Sequence, residues 1–543
     1  NATNTASSSD LSLTGLVGSE TLTLSGSGTL TSSAVGTGKT ITLNTLAISN
    51  NSGLASNYNL SGTATMNVTT RAVTATGSRV YDGTTTINGT DLTTISNLAG
   101  SDTLSLTGSG SATADVGTSK SVTLGSLALA SGSGNASNYS LSSATVNITQ
   151  RPLDLEASRI YNGTTTISGS NFSTFSNIVS GQTLSVTGSG TVSSANVGTG
   201  KNVTSVNLAL ANGSGSASNY SINSLTAEIT GKPVTISGSR LYDSTTTASS
   251  SILTITSGVS GESLSLTGSG VLGAASAGTQ TITNNNTLAI ADGSGGLASN
   301  YTLSGATINV TIIPRTLNVT LSREYDGTTS VSGASLTPTF DSLQGGETLA
   351  LSGTGSVSTA NVGSSKAVSL GSIALVAGSG NPSNYSLNSA TMNVTQRVIN
   401  LDGIRAYDAS TNVLSSDINT FGNIVSGETL TISGTGSVGT NSVAMNKAIT
   451  IGSLSLGNGS GVASNYTLVG GNNIIEVTPR TTVASGSRFY DGTTTANGTD
   501  FDTFTNVVGS DTITINGFGS FNTAGVGSKS VNIGSLSSAH PSY

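Results

Sequence analysis

Short runs of alternating apolar and polar residues, four to ten long, fill this chain and are separated by Gly, Asn, Asp and Ser. In one such run Leu153, Leu155, Ala157, Arg159 and Tyr161 share a face by the period-two rule for strands. Applied to residues 71–150, the pattern predicts a strand over Val73–Tyr81, a turn at Asp82-Gly83 and a short second strand over Thr84–Ile87. Three further strands are predicted over Thr103–Ala112, Ser121–Ala130 and Tyr139–Thr149. One segment breaks the alternation. Leu92, Ile95 and Leu98 are three apart behind Asp91, a spacing that predicts a short helical turn with Asp91 as its N-cap. Phe172, Phe175 and Ile178 repeat it, as do Phe501, Phe504 and Val507.

The same order of signals returns along the whole chain. Ser-Arg-x-Tyr-Asp-Gly-Thr-Thr-Thr, or a near variant, recurs with its tyrosine at Tyr81, Tyr161, Tyr242, Tyr325, Tyr407 and Tyr490, at steps of 80 to 83 residues. Ser-Asn-Tyr recurs at Tyr58, Tyr139, Tyr220, Tyr301, Tyr385 and Tyr466. A third landmark is Gly-(Glu/Asp/Gln)-Thr-Leu, as at Gly427-Glu428-Thr429-Leu430. Boundaries fall at a basic residue, giving complete repeats 71–150, 151–231, 232–314, 315–396 and 397–479. Partial repeats 1–70 and 480–543 flank them, lacking the first and the last strand respectively.

The expected fold is mainly β: a tandem array of domains of about 80 residues, each of about five strands and a short helical turn. A β-grasp-like module fits the element order, with a small β-sandwich as the alternative. A β-solenoid would repeat at roughly 20–30 residues. Each repeat is expected to close its own core. With no flexible linker at the joints, the domains are expected to stack end to end as a rod of roughly 250 Å.

Composition narrows the function. The chain has 543 residues, no Cys or Trp, one His (His540), 8% charged residues and a net charge of -7. That balance argues against nucleic-acid or anionic-membrane partners, which need basic patches, and no apolar run suits a membrane-spanning helix. With one histidine, no cysteine and no clustered carboxylates, no catalytic set, cofactor site or metal site is expected.

Two recurring residue sets invite a chemical reading. Arg79 and Tyr81, beside Asp82 and Gly83, lie two apart on one face, as do Arg159/Tyr161, Arg240/Tyr242, Arg323/Tyr325, Arg405/Tyr407 and Arg488/Tyr490. A row of ligand sites is one reading. The favoured one is structural, with Tyr at the core edge and Arg bonding carbonyls or the turn aspartate. Lys39, Lys120, Lys201, Lys366, Lys447 and Lys529 recur at one position, with Gln280 there once. A lysine buried against Asn or Asp could form an isopeptide crosslink, but a solvated turn lysine is the preferred reading.

The Tyr-Asp-Gly-Thr-Thr-Thr opening, the Gly-x-Thr-Leu middle and the Asn-Tyr-x-Leu…Ile-Thr close resemble the YDG/MBG-type repeats of large bacterial adhesins, found in filamentous-haemagglutinin-like proteins. The resemblance spans essentially the whole chain, with Ser244 and Ala409 standing where the turn glycine is expected. It implies a secreted surface stalk or adhesin, and not an enzyme. A glycan- or surface-binding module displaying rows of Thr is the alternative. The partial end repeats carry two readings: a homopolymer joined head to tail by shared strands, or excision from a longer chain.

Overall fold

The structure is a computed structural model that describes residues 3–61, 63–205 and 207–543. Packing divides the chain into two units, residues 1–236, 255–266 and 290–307 in one, and 237–254, 267–289 and 308–543 in the other. The fold is mainly β, built from repeats whose sheets curl into half-barrels.

In the first unit, residues 71–150 hold eight strands rather than about five. They are β1 (Arg71–Val80), β2 (Thr86–Asn88), β3 (Thr94–Ser96), β4 (Leu104–Thr107), β5 (Ser109–Ser111), β6 (Gly117–Val122), β7 (Ala128–Ser131) and β8 (Tyr139–Thr149). The expected run Thr103–Ala112 is cut at Gly108. This residue has φ +76°, and a Cβ there would stand 2.1 Å from the Ser126 carbonyl oxygen. Only glycine fits so sharp a corner. The corner sends β4 to pair with β7, while β5 pairs with β2.

β1 and β8, the first and last strands, lie side by side and parallel, from Arg71↔Tyr139 to Val80↔Thr149. β6 flanks β8 and β3 flanks β1, both antiparallel. In repeat 151–231 the equivalent strands form one six-stranded sheet in the order 2-5-6-8-1-3. Its inward face carries Leu153, Leu155 and Ala157, at most 1% exposed.

No helical turn occupies 91–98. A 3₁₀ turn covers Gly89–Asp91, followed by β3. Asp91 is not the N-cap but the third residue of that turn, and its Oδ2 accepts the Asn88 amide at 2.9 Å. The misleading spacing has a physical origin in repeat 151–231, where Leu155 pairs with Phe175 and Ala157 with Phe172 across a register shift. In a regular strand, residues three apart face opposite sides. One bulged residue turns both rings inward.

The second unit repeats the plan in 315–396, where Arg315–Glu324 runs parallel to Tyr385–Thr395. One cluster of buried apolar residues reaches from Val319 to Ile475, across repeats 315–396 and 397–479, so the expectation that each repeat closes its own core does not hold there. Repeat 397–479 departs at its last strand. That strand is split into Tyr466–Thr467 and Ile474–Thr478 around a loop containing Gly470 at φ +89°.

Candidate functional site: the inter-repeat junction

The three landmarks, dispersed within each repeat, meet between repeats. In the first unit Tyr161 closes the first strand of repeat 151–231, and its hydroxyl donates to Glu262 Oε1 of the following repeat at 2.5 Å. Tyr301, from the Ser-Asn-Tyr phrase of that repeat, donates to Glu262 Oε2 at 2.6 Å. The two rings meet edge to face, centroids 5.4 Å apart at 76°, a favoured geometry for aromatic pairs. One carboxylate therefore pins two phenols from neighbouring repeats.

The second unit rebuilds this clamp twice. Tyr242 and Tyr385 donate to Glu347 at 2.5 and 2.6 Å, and Tyr325 and Tyr466 to Glu428, both at 2.6 Å. Their ring centroids are 5.3 and 5.4 Å apart. Between repeats 71–150 and 151–231 the acid is replaced by Gln182. Its Nε2 donates to the Tyr81 hydroxyl at 2.8 Å, and its Oε1 accepts from Tyr220 at 2.5 Å. Burial, reinforced by the hydrogen bond to Glu347, pushes the Tyr242 phenol up to about 12. Burial first and Glu262 second raise Tyr301, and burial and Glu428 do the same to Tyr466.

The asparagine before the second tyrosine seals the junction beside the rings. Asn219, Asn300 and Asn465 are at most 1% exposed. Their Oδ1 atoms accept the amides of Val116, Val197 and Val362 in the preceding repeat, each at 2.9 Å. Their Nδ2 groups donate to Asp115, Asn196 and Asn361 at 2.8, 3.0 and 3.0 Å. Each of these three carboxamides is thus satisfied at both ends, which a buried amide requires.

At four boundaries an arginine ties the chain crossing. Arg151 donates through Nη1 to the Tyr81 carbonyl at 3.3 Å, and through Nε and Nη2 to Asn177 O and Oδ1 at 2.5 and 2.7 Å. Arg397 does the same with Tyr325 and Asn423. The turn glycine lets repeats approach, because a Cβ on Gly83 would lie 2.8 Å from Val179 Cγ1 of the next repeat. Where Ser244 replaces it, at φ +63°, the residue opposite is Gly345.

The signature residues divide between two tasks, except Tyr490, which is 68% exposed instead of lying at the core edge as expected. Tyr81, Tyr161, Tyr242, Tyr325 and Tyr407 are at most 5% exposed and face the next repeat; Tyr407 stacks edge-on against Tyr543 at 5.5 Å. The arginines stay in their own turn. Arg79 pairs with Asp82 and donates to the Thr84 carbonyl at 2.6 Å. Arg323, Arg405 and Arg488 pair with Asp326, Asp408 and Asp491 at 3.0, 3.1 and 2.9 Å. Arg240 pairs with Asp243, and Arg159 bonds Asn162, which replaces the aspartate. Two hydrogen bonds from Thr493, the amide first and the hydroxyl second, hold the Asp491 carboxyl below its ordinary value. Asp491 is the acceptor end of an Asx turn.

The recurring lysines meet backbone carbonyl and hydroxyl oxygens, none of which belongs to a side-chain carboxyl or carboxamide that could acylate the amine. Lys366 Nζ bonds the Thr359 carbonyl and hydroxyl at 2.8 and 2.9 Å. Lys447 bonds the Ser442 carbonyl at 2.7 Å and Lys201 the Ser194 carbonyl at 3.4 Å. Lys120 bonds the Asp115 carbonyl and Lys529 the Thr523 hydroxyl at 2.6 Å. Lys39 lies half-buried against Gly36. Among the described residues none of these ammonium groups has an Asn or Asp side chain as hydrogen-bond partner.

Fold and junction together define a class: a tandem array of small β repeats, each docked on the next by the same set of side chains. Six stretches, 1–67, 63–146, 146–230, 226–308, 311–392 and 475–540, match the family model described as YDG domain. The chain belongs to the YDG domain family. No curated protein matches it. Most of the unmatched stretch between 392 and 475 lies in repeat 397–479, which carries the split last strand and Ala409 in place of the turn glycine.

Proposed function

We propose that this chain is the load-carrying stalk of a secreted bacterial surface protein, extended and without catalytic activity, whose work is to hold other parts away from the cell. The observation that carries this reading is the contrast between the junctions and the outward faces within one chain. Tyrosine, Glu or Gln, tyrosine and asparagine return at successive junctions, in the same arrangement of rings and forked side chain. The outward sheet face returns only in part: repeat 315–396 keeps Thr391, Thr320 and Thr339 in its row beside Ala367, and other repeats do not. In repeat 71–150 it crosses Ser121, Thr145, Thr76 and Thr94 in register. At the same level, repeat 151–231 places Asn202, Thr226, Glu156 and Thr174. An array that bound a periodic lattice would need one ligand face in every repeat, whereas a stalk needs one junction.

Small-angle scattering of the purified chain, with negative-stain imaging, tests the proposal. A beaded rod is expected, with a maximum dimension several times that of a globule of equal mass; for 543 residues a globule has a radius of gyration of roughly 24 Å. A compact particle overturns it.

A further inference from the structure

The pairing of β1 with β8 has a mechanical meaning. β1 is the entry strand of its repeat and β8 the exit strand, and they are parallel neighbours over ten residue pairs. Repeats 151–231 and 315–396 pair their entry and exit strands over ten residue pairs each. Tension pulls the entry strand backwards by its N-terminus and the exit strand forwards by its C-terminus. Two parallel strands pulled this way slide along each other, so the interstrand bonds bear the load together. Strands pulled from the same end would instead unzip, each bond breaking in turn.

The joints pass this load on without slack. One residue, Gln150, separates the exit strand ending at Thr149 from the next entry strand at Arg151, and Gln396 alone separates Thr395 from Arg397. Repeat 397–479 is built differently. Its parallel pairing is broken into two pairs, Arg397↔Tyr466 and Val398↔Thr467, and five pairs from Asp402↔Ile474 to Ala406↔Thr478. Between them the exit strand leaves the ladder, Val469 is 75% exposed, and the Asn473 side chain accepts the Leu401 amide at 3.0 Å. A side chain has taken the place of a strand partner.

The geometry points to a second function for this fold: each complete repeat is a shear clamp, and repeat 397–479 is a built-in weak link that opens first among the complete repeats under tension. It yields one repeat's length of chain while its neighbours stay folded. The inference deepens the stalk reading, but the pulling result depends on strand pairing alone. A compact particle in scattering would remove the stalk and leave the clamp standing, and the reverse holds too.

Single-molecule pulling of the whole chain by its ends tests it, because forced unfolding reads the barrier to opening. The expected record is a series of steps of similar length, each on the order of 250 Å for about 80 released residues. Beyond the shorter steps of the two partial end repeats, one full-length step should come at clearly lower force. Inserting twenty Gly/Ser residues between Gly439 and Thr440, where a Cβ on Gly439 would meet open space, marks repeat 397–479 by lengthening its step by roughly 70 Å. The lengthened step should be the low-force one; finding it among the high-force steps overturns the weak link.

The chain has no cysteine, so Ala72→Cys with Ser140→Cys supplies unique handles at the paired N-terminal ends of β1 and β8. Pulling there should open repeat 71–150 at a severalfold lower force than pulling end to end. Equal forces overturn the shear clamp.

Discussion

The junction centred on Glu347 and the one centred on Gln182 hold the same pair of rings at 5.3 and 5.4 Å with different hydrogen-bond arithmetic. Glu347 accepts twice, once from each phenol. Gln182 accepts from Tyr220 but donates to Tyr81. The geometry survives because Glu and Gln share a length and a fork of two polar atoms, and a phenol can donate or accept. A negative charge is therefore not what the junction requires. It requires a two-toothed side chain that leaves neither buried hydroxyl alone.

The largest effect expected from breaking this arrangement comes from the ring itself. Tyr325→Ala removes a buried ring between two repeats and should cost about 3–5 kcal/mol. Hydrogen exchange should show the loss in both flanking repeats, since the buried cluster crosses that junction. Protection lost in repeat 315–396 alone would contradict the shared core. Glu347→Ala keeps the rings and removes their acceptor. With each stranded hydroxyl costing about 1–3 kcal/mol, the thermal transition should fall by several degrees.

Alkali should act on the same contacts through the phenols. Tyr242 titrates near 12, above its ordinary value near 10. Its contribution to stability is therefore whole below about pH 10 and disappears as the pH climbs through 12. Absorbance of tyrosinate near 295 nm, recorded with circular dichroism, should show ionisation and loss of structure together in that window. Free ionisation of every phenol at pH 10 with the sheets intact would count against buried clamps. The smallest effect is expected from Glu347→Gln, which copies the Gln182 junction and should change stability by less than about 1 kcal/mol. A loss as large as that of Glu347→Ala would mean that charge matters after all.

Much of the fold was legible in the residues, because a strand facing a core announces itself by alternation, as Leu153, Leu155 and Ala157 do. The eight-strand count was not, since Gly108 hides a corner inside a run that still alternates. The helix-like spacing at Phe172 and Phe175 came from a bulge, which shifts the period by one and imitates a three-residue spacing. The junction was half legible. All three landmarks were visible as repeats, but the partners in the clamp are far apart in sequence, Tyr161 and Glu262 by 101 positions. Nothing local says that a tyrosine closing one repeat meets an acid in the middle of the next. The signal that could have revealed it is the turn position: Ser244 departs from glycine where its opposite, Gly345, departs from the serine found at Ser260 and Ser426 in other repeats.

Because successive junctions reuse one set of contacts, the incoming face of one repeat is interchangeable with that of another. Removing residues 151–231 would bring Tyr81 against Glu262 and Tyr301, and the Val116 amide against Asn300, partners it can accept as it stands. A gene encoding such an array can gain or lose whole periods by unequal recombination without inventing an interface, so the number of repeats becomes a quantity that selection can adjust in fixed increments.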